Sequence, residues 1–264
     1  MPRTAEPPQS SATAVAAQFP GEDFVVGGGV AIFHIASQRV VICSAPHHGR
    51  KYYFLPKGRR DAGEDSRTGA EREGFEEVHM LFIPIERSLE RTELTSHQSG
   101  YRNRLLPLPT VHRQPQAHPR VASPPLTAEP IWMQLMPLGY RNIQYVLYWY
   151  IAETLSPDLE EELDTEVGGA YKPPPAWPPG LTLRERIELE PEGYEPRHHE
   201  GTGVDEEEAT YESHLVSVEE AVRKLGGRGS VMADVVMRGW KGIQDRFAME
   251  ETHEAMTHSP EAMH

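Results

Sequence analysis

Between Gly58 and Met80 the chain reads GRRDAGEDSRTGAEREGFEEVHM, a run that brings Glu64, Arg72, Glu73, Glu76 and Glu77 close together behind a glycine. If Gly69 to Phe75 is helical and the helix continues, Glu73, Glu76 and Glu77 fall at i, i+3 and i+4 and share one face. Like charges at that spacing destabilise an isolated helix by roughly 0.2–0.5 kcal/mol per pair, so three together call for a counter-charge. A divalent cation fits. Mg²⁺ takes oxygen ligands, is usually held by one or two carboxylates, and completes its shell with waters and substrate phosphates. The chemistry implied is hydrolysis of a phosphate bond. Ala70, Gly74 and Val78, flanked by Phe75, lie on another side of the same helix and could bury it against a sheet.

The order Gly, five residues, Glu, seven residues, Arg-Glu, an apolar position, one residue, Glu-Glu, one residue, Gly and a last apolar position is the Nudix box. The chain resembles it at Gly58, Glu64, Arg72, Glu73, Glu76, Glu77 and Met80, and Leu55-Pro56-Lys57 is similar to the family's approach to the box. The resemblance implies an α+β fold, a Nudix-like α/β/α sandwich with a mixed β-sheet, in which a strand, loop and helix form the active unit. It implies cleavage of a diphosphate linkage in a nucleoside diphosphate derivative or related compound, with Mg²⁺ or Mn²⁺. On the matched positions it makes Glu73, Glu76 and Glu77 the metal ligands, one of that cluster orienting or deprotonating water, and Arg72 with Glu64 the supporting ion pair. The Leu-Pro-Lys-Gly-Arg stretch resembles branches acting on dinucleoside polyphosphates and on diphosphoinositol polyphosphates, and does not choose between them.

Two positions depart from the box. Gly74 stands where an apolar helix residue is expected; glycine there costs about 1 kcal/mol relative to alanine but permits close packing on a sheet. His79 stands where a glycine ends the helix, a place that favours a left-handed backbone, which His tolerates better than β-branched residues do.

Stepping outward, 264 residues suffice for a substantial core. With 38% hydrophobic residues and 24 prolines and 22 glycines, the composition points to one domain with much loop. We expect a flexible tail over 1–22, a single domain over 23–250 with irregular inserts at about 95–130 and 155–208, and a flexible tail over 251–264. The lone Cys43 forms no internal disulfide and fits a reducing compartment. The first twenty residues lack the basic and apolar regions of a secretory signal, and no stretch has the roughly 18–20 apolar residues of a membrane span, so an intracellular protein, cytoplasmic or nuclear, is expected. A net charge of −14 opposes nonspecific binding to nucleic acid or anionic membrane. Locally the sign reverses: Arg50, Lys51, Lys57, Arg59 and Arg60 surround the start of the box, and Lys57, Arg59 and Arg60 are the candidates to clamp substrate phosphates.

The elements that would hold this site follow from periodicity. Phe24 to Ala36 reads as a strand interrupted by Gly27, Gly28 and Gly29, which lack the Gly-Lys-Ser/Thr ending of a phosphate loop and read as a bulge or a close strand crossing. Arg39 to Ser44 completes a hairpin, and Tyr52 to Leu55 feeds the box, whose helix begins near Asp65 or Ser66 with one of them as N-cap. Leu81 to Ile85 resumes an apolar run; Ile131 to Met136 and Ile143 to Ala152 read as strands. Tyr145, Tyr148, Trp149 and Tyr150 serve a core or stack a nucleobase, the core being the commoner use. The histidines at 97, 112 and 118 have no ligand spacing. Pro173-Pro174-Pro175 and Pro178-Pro179 beside Trp177 read as a stiff loop rather than a ligand for a proline-recognition module. Thr210 to Val216 reads as a strand, followed by a helix from Val218 to Leu225, capped by Ser217 with Glu220, and a last helix from Val231 to Phe247.

The expected substrate is a small-molecule diphosphate, with no stable nucleic-acid binding and no membrane; the sequence names no protein partner. The rival is a noncatalytic binding module of the same fold that recognises a nucleotide or a protein through the inserts. An enzyme acting on RNA ends would need a basic RNA track, which the chain lacks.

Overall fold

The computed structural model describes residues 16–47, 49–76, 99–109, 125–138, 143–163, 171–200 and 211–257. The first half supplies β1 (Phe24–His34), β2 (Arg39–His47), β3 (Arg50–Phe54), β4 (Lys57–Arg59) and α1 (Ser66–Glu76). The short strands β5 (Ser99–Gly100), β6 (Asn103–Leu105), β7 (Leu108–Pro109) and β8 (Leu126–Thr127) precede the long pair β9 (Trp132–Leu138) and β10 (Ile143–Thr154). After them come α2 (Pro157–Leu163), α3 (Leu183–Glu188), β11 (His199–Glu200), β12 (Glu212–Ser217), α4 (Val218–Lys224) and α5 (Val231–Thr257).

Eight strands form one mixed sheet in the order β12-β2-β1-β10-β6, with β3 beside β2, β4 beside β1 and β9 beside β10. β1 and β10 run parallel at its centre, Phe24 opposite Gln144 through Phe33 opposite Glu153, and the remaining pairs in the sheet are antiparallel. Because successive strand residues face opposite sides, Val30, Ile32, Tyr150 and Ala152 pack with Ala70 of α1. Ala31, Phe33, Leu147, Trp149 and Ile151 pack on the other side with α4 and α5. The fold is thus α+β, a sheet between helical layers.

The triple glycine does not interrupt β1, which runs straight through it. Its cause is closeness rather than a bulge. A β-carbon at Gly28 would come within 2.5–2.9 Å of α1 backbone atoms at Ser66 and Ala70, so that glycine sets how near the helix lies. Gly74 answers from the helix side, where a β-carbon would meet Asn103 Nδ2 at 2.5 Å and methyls of Ile32 and Val30 at 3.0 Å.

Three expectations change in extent. The segment given as an irregular insert over 95–130 contributes β6 to the main sheet, where Leu105 pairs with Ala152. The insert over 155–208 contains α2 and α3, the latter opened by a full capping box between Thr182 and Glu185. The last helix continues to Thr257, past the expected tail boundary at 251. Leu81 to Ile85 and the histidines at 97, 112 and 118 lie outside the described residues. Among the described residues no helix is long and apolar enough to cross a membrane.

Candidate active site

β4 delivers Lys57, Gly58 and Arg59 along the outer side of β1, with Gly58 opposite Gly28. The chain then turns and enters α1, where Asp65 acts as the cap: its Oδ1 accepts from the backbone N–H groups of Arg67 and Thr68, both at 2.9 Å. Those bonds hold the Asp65 carboxyl below the usual carboxylate range. Ser66 Oγ and the Tyr150 hydroxyl lie 2.7 Å apart, which ties the helix start to β10.

Arg72 organises the acids. Its Nε and Nη2 meet the two oxygens of Glu64 at 3.1 and 3.0 Å, a side-on pair, while Nη2 also donates to the Arg59 carbonyl at 2.9 Å. Its Nη1 donates to Glu73 Oε1 at 3.0 Å and to Glu76 Oε2 at 2.7 Å. Burial works against the Arg72 charge, yet the bonds to Glu64 and Glu76 and the charge of Glu73 outweigh it and raise its pKa. Burial also raises the Glu76 carboxyl, with Arg72 opposing. Glu73, only 6% exposed, lies over Gly58 so closely that a β-carbon at the glycine would overlap its carboxylate. A second tie from the loop comes from Asp61, whose backbone N–H donates to Glu64 Oε2 at 2.9 Å.

Of the eight residues expected in the site, Glu64, Arg72, Glu73 and Glu76 are thus brought together. Glu77, with Val78, His79 and Met80, lies outside the described residues. The three expected phosphate contacts are not gathered in one place. Strand alternation turns Lys57 and Arg59 to the face away from Glu73's cradle at Gly58, and Arg60 folds back to donate to the Glu64 carbonyl at 2.7 Å.

The donor set suits a hard cation. Glu73 and Glu76 each turn a carboxylate oxygen to Arg72 Nη1, and carboxylate oxygens are the ligands that Mg²⁺ or Mn²⁺ takes from a protein when waters and phosphates supply the rest. Among the described residues no group of three His, Cys, Asp or Glu side chains gathers to hold a metal.

Lys57 lines a cavity of about 180 Å³ on the other face of the sheet, whose walls also include Gln134, Met136, Tyr145, Trp149 and Met232. Burial depresses the Lys57 ammonium below the ordinary lysine range, against the pull of Glu73. Tyr145 donates its hydroxyl to the Gly58 carbonyl at 2.9 Å, and burial, with Glu73 adding, raises its pKa. Trp149 Nε1 donates to Gln134 Oε1 at 3.0 Å. Tyr145 and Trp149 are core residues, each 1% exposed, that also border the cavity; Tyr150 packs on the α1 side.

Glu71 and Asn103 also belong to the site's frame, with no mark of it in the local sequence. Glu71 Oε1 accepts from the Leu105 N–H at 2.8 Å, and Asn103 Nδ2 donates to the Glu71 carbonyl at 2.9 Å, so β6 grips α1. A Glu next to Arg72 in a run of acids carries no local sign of this; the partner lies 34 positions away.

No protein-family model and no curated protein matches the chain. Among solved structures it is similar to a Nudix hydrolase from Nitrosomonas europaea, at 10% identity and a TM-score of 0.38, over 83% of this chain and 89% of that one. It is also similar to a C. elegans Ap4A hydrolase in a binary complex, at 12% identity and a TM-score of 0.32, over 87% of this chain and 98% of that one. Both are likenesses of outline, and the roles of residues rest on their own geometry.

Proposed function

We propose that this chain is a Nudix-type hydrolase that cleaves a diphosphate linkage with the help of Mg²⁺ or Mn²⁺. The observation that carries the reading is the pair Glu73 and Glu76, held by one nitrogen of Arg72 above the side-chain-free Gly58. Glu73 and Glu76, with Glu77 from the motif, would hold the metal. A bound Mg²⁺ or Mn²⁺ supplies Lewis acidity toward a phosphoryl oxygen and lowers the pKa of its water. Arg72 and Glu64 keep the carboxylates in register, and Gly58 leaves room for the Glu73 carboxylate itself. Lys57, on the cavity face of β4, would meet an anionic group of the substrate that reaches the cavity.

The cavity favours one arm of substrate over another. Its walls are aromatic and aliphatic apart from Gln134 and Lys57, and Lys57 is its one cationic lining residue among the described residues. A flat nucleobase suits such walls. A ring bearing several phosphates would press its anionic groups against apolar side chains. This supports a nucleoside diphosphate derivative or dinucleoside polyphosphate ahead of a diphosphoinositol polyphosphate.

The test is hydrolysis of nucleotide sugars, dinucleoside polyphosphates, coenzyme diphosphates and diphosphoinositol phosphates during Mg²⁺ and Mn²⁺ titrations, with Glu73→Gln and Glu76→Gln as controls. Metal-stimulated turnover that both substitutions remove is expected. Ligand binding with no turnover at any metal concentration would replace this reading by the noncatalytic binding module.

A further inference from the structure

We infer that Phe75 is a positioning residue for the acids of α1 and that both inserts exist in part to hold it; the inference rests on the proposed hydrolase reading. Among the described residues of α1, SRTGAEREGFE, Phe75 is the one large apolar side chain. The surface that the helix lays on the sheet is Ala70 and Gly74 over Gly28, Val30 and Ile32. Glycine and alanine let a helix come close but give little that resists its turning about its own axis.

Beside the bonds of Ser66 to β10 and of Glu71 to β6, a further restraint on turning stands on the flank away from Glu73. The Arg102 guanidinium carbon lies 4.5 Å above the Phe75 ring. Tyr171 approaches it at 5.9 Å between centroids and His199 at 5.6 Å, edge to face. The backbone of Gly100 abuts the Phe75 carbonyl so tightly that a β-carbon there would overlap it. These partners are themselves joined: His199 pairs with Gly100 across β11 and β5, and its Nε2 meets Glu160 Oε2 at 2.9 Å. Gly100 and Arg102 belong to the first insert and Glu160, Tyr171 and His199 to the second, so segments distant in sequence converge on one ring.

The consequence for chemistry follows from helix geometry. A carboxylate about 5–6 Å from the helix axis moves roughly 1 Å when the helix turns by about 10°. A misplacement of about 1 Å can cost on the order of 10²-fold in rate. Phe75 adjoins Glu76 and lies two residues from Glu73, so the box around its ring helps to set the rotation that places both.

The experiment compares full-length wild type, Phe75→Ala and Phe75→Tyr in three readouts: kcat and KM on the best substrate from the panel, Mn²⁺ affinity by electron paramagnetic resonance without substrate, and thermal melting. Phe75→Ala is expected to lower kcat by about 10²-fold with KM changed by less than about 3-fold, and to weaken Mn²⁺ binding by about 10-fold. Phe75→Tyr, which keeps the ring, is expected to restore both. If Phe75→Ala fails to fold, Arg102→Ala removes the cation above the ring and carries the same expected direction. Unchanged kcat and Mn²⁺ affinity in the folded variant, whatever its melting temperature, would overturn the inference alone. A wild type that neither binds Mn²⁺ nor turns over any substrate would overturn the hydrolase reading and this inference with it.

Discussion

The Glu73 carboxylate rests directly on Gly58, whose missing side chain is the space the carboxylate occupies. β4 and β1 fix Gly58 from below through its pairing with Gly28, so the glycine has nowhere to retreat. Gly58→Ala is therefore expected to push Glu73 off its position, at a stability cost of about 1–3 kcal/mol for overpacking. The rate should suffer more than the fold, by on the order of 10²-fold in kcat. Steady-state kinetics beside a denaturant melt would check this; a variant with wild-type kcat would show that Glu73 is not held by this contact.

Arg72 is the counter-charge for Glu64, Glu73 and Glu76 together. Lysine keeps the charge but not the fork, so Arg72→Lys loses the side-on pair with Glu64 and is expected to cost about 1–3 kcal/mol. Arg72→Ala leaves three clustered carboxylates without their guanidinium and should cost more. Its deficit should narrow when Mn²⁺ is added, because a cation binding the folded state restores the missing charge. Melting curves of both variants with EDTA and with Mn²⁺ test this; a deficit that ignores the metal would mean that the acids do not bind it.

The glycine that governs this site was legible in the sequence because a motif names it, and Asp65 was legible because caps depend on local residue order. Strands β1, β2, β9 and β10 were readable from their apolar runs. The grip on α1 was not. Asn103 and Leu105 sit in a strand of three residues, too short to show a period. Arg102, Tyr171 and His199 reach Phe75 only after the sheet has closed. The Thr182 box stood in plain view as Thr-Leu-Arg-Glu and was hidden by the prolines before it. Trp177, which the prolines made look like part of a stiff loop, lies between Arg104 at 4.9 Å and Arg246 at 4.4 Å.

Glu71 makes stability depend on pH near neutrality. Burial raises its carboxyl from the ordinary 4.5 to about 7, with the Leu105 N–H pulling the other way. A carboxyl with a higher pKa folded than unfolded binds its proton more tightly in the folded state. Its stabilisation is complete below about 4.5 and is lost as pH rises toward about 7. Glu71→Gln keeps an oxygen for Leu105 and has no charge to bury. In EDTA, the variant should come within about 1 kcal/mol of wild type at pH 5 and exceed it by about 3 kcal/mol at pH 8. Urea denaturation at the two pH values decides, and a difference independent of pH would locate the titration elsewhere.

At the far end of the sheet, Glu153 holds two arginines that would otherwise be buried charges. Its Oε1 accepts from Arg104 Nη2 at 2.5 Å, and its Oε2 lies 2.8 Å from Arg186 Nε, the three side chains being 1%, 3% and 2% exposed. Arg186 continues to Glu190 at 2.8 Å, and Glu190 to His34 Nε2 at 3.0 Å, so a line of ion pairs and hydrogen bonds fastens α3 to β10 and β1. Such a network is weak as a source of net stability, because desolvating its charges offsets most of their attraction, but removing one member leaves the others unpaired. Glu153→Gln is expected to cost about 3–5 kcal/mol. The loss should be local first: residues 171–200, which carry Trp177, Arg186 and the Tyr171 and His199 sides of the Phe75 box, should become sensitive to protease before β1 or α5 does. Replacing Glu153 and Arg104 together by apolar residues should recover much of that loss, since Arg186 keeps Glu190 as its partner. If the single substitution leaves the proteolytic pattern unchanged, these ion pairs do not fasten the second insert, and its hold on α1 must come from the Phe75 contacts themselves.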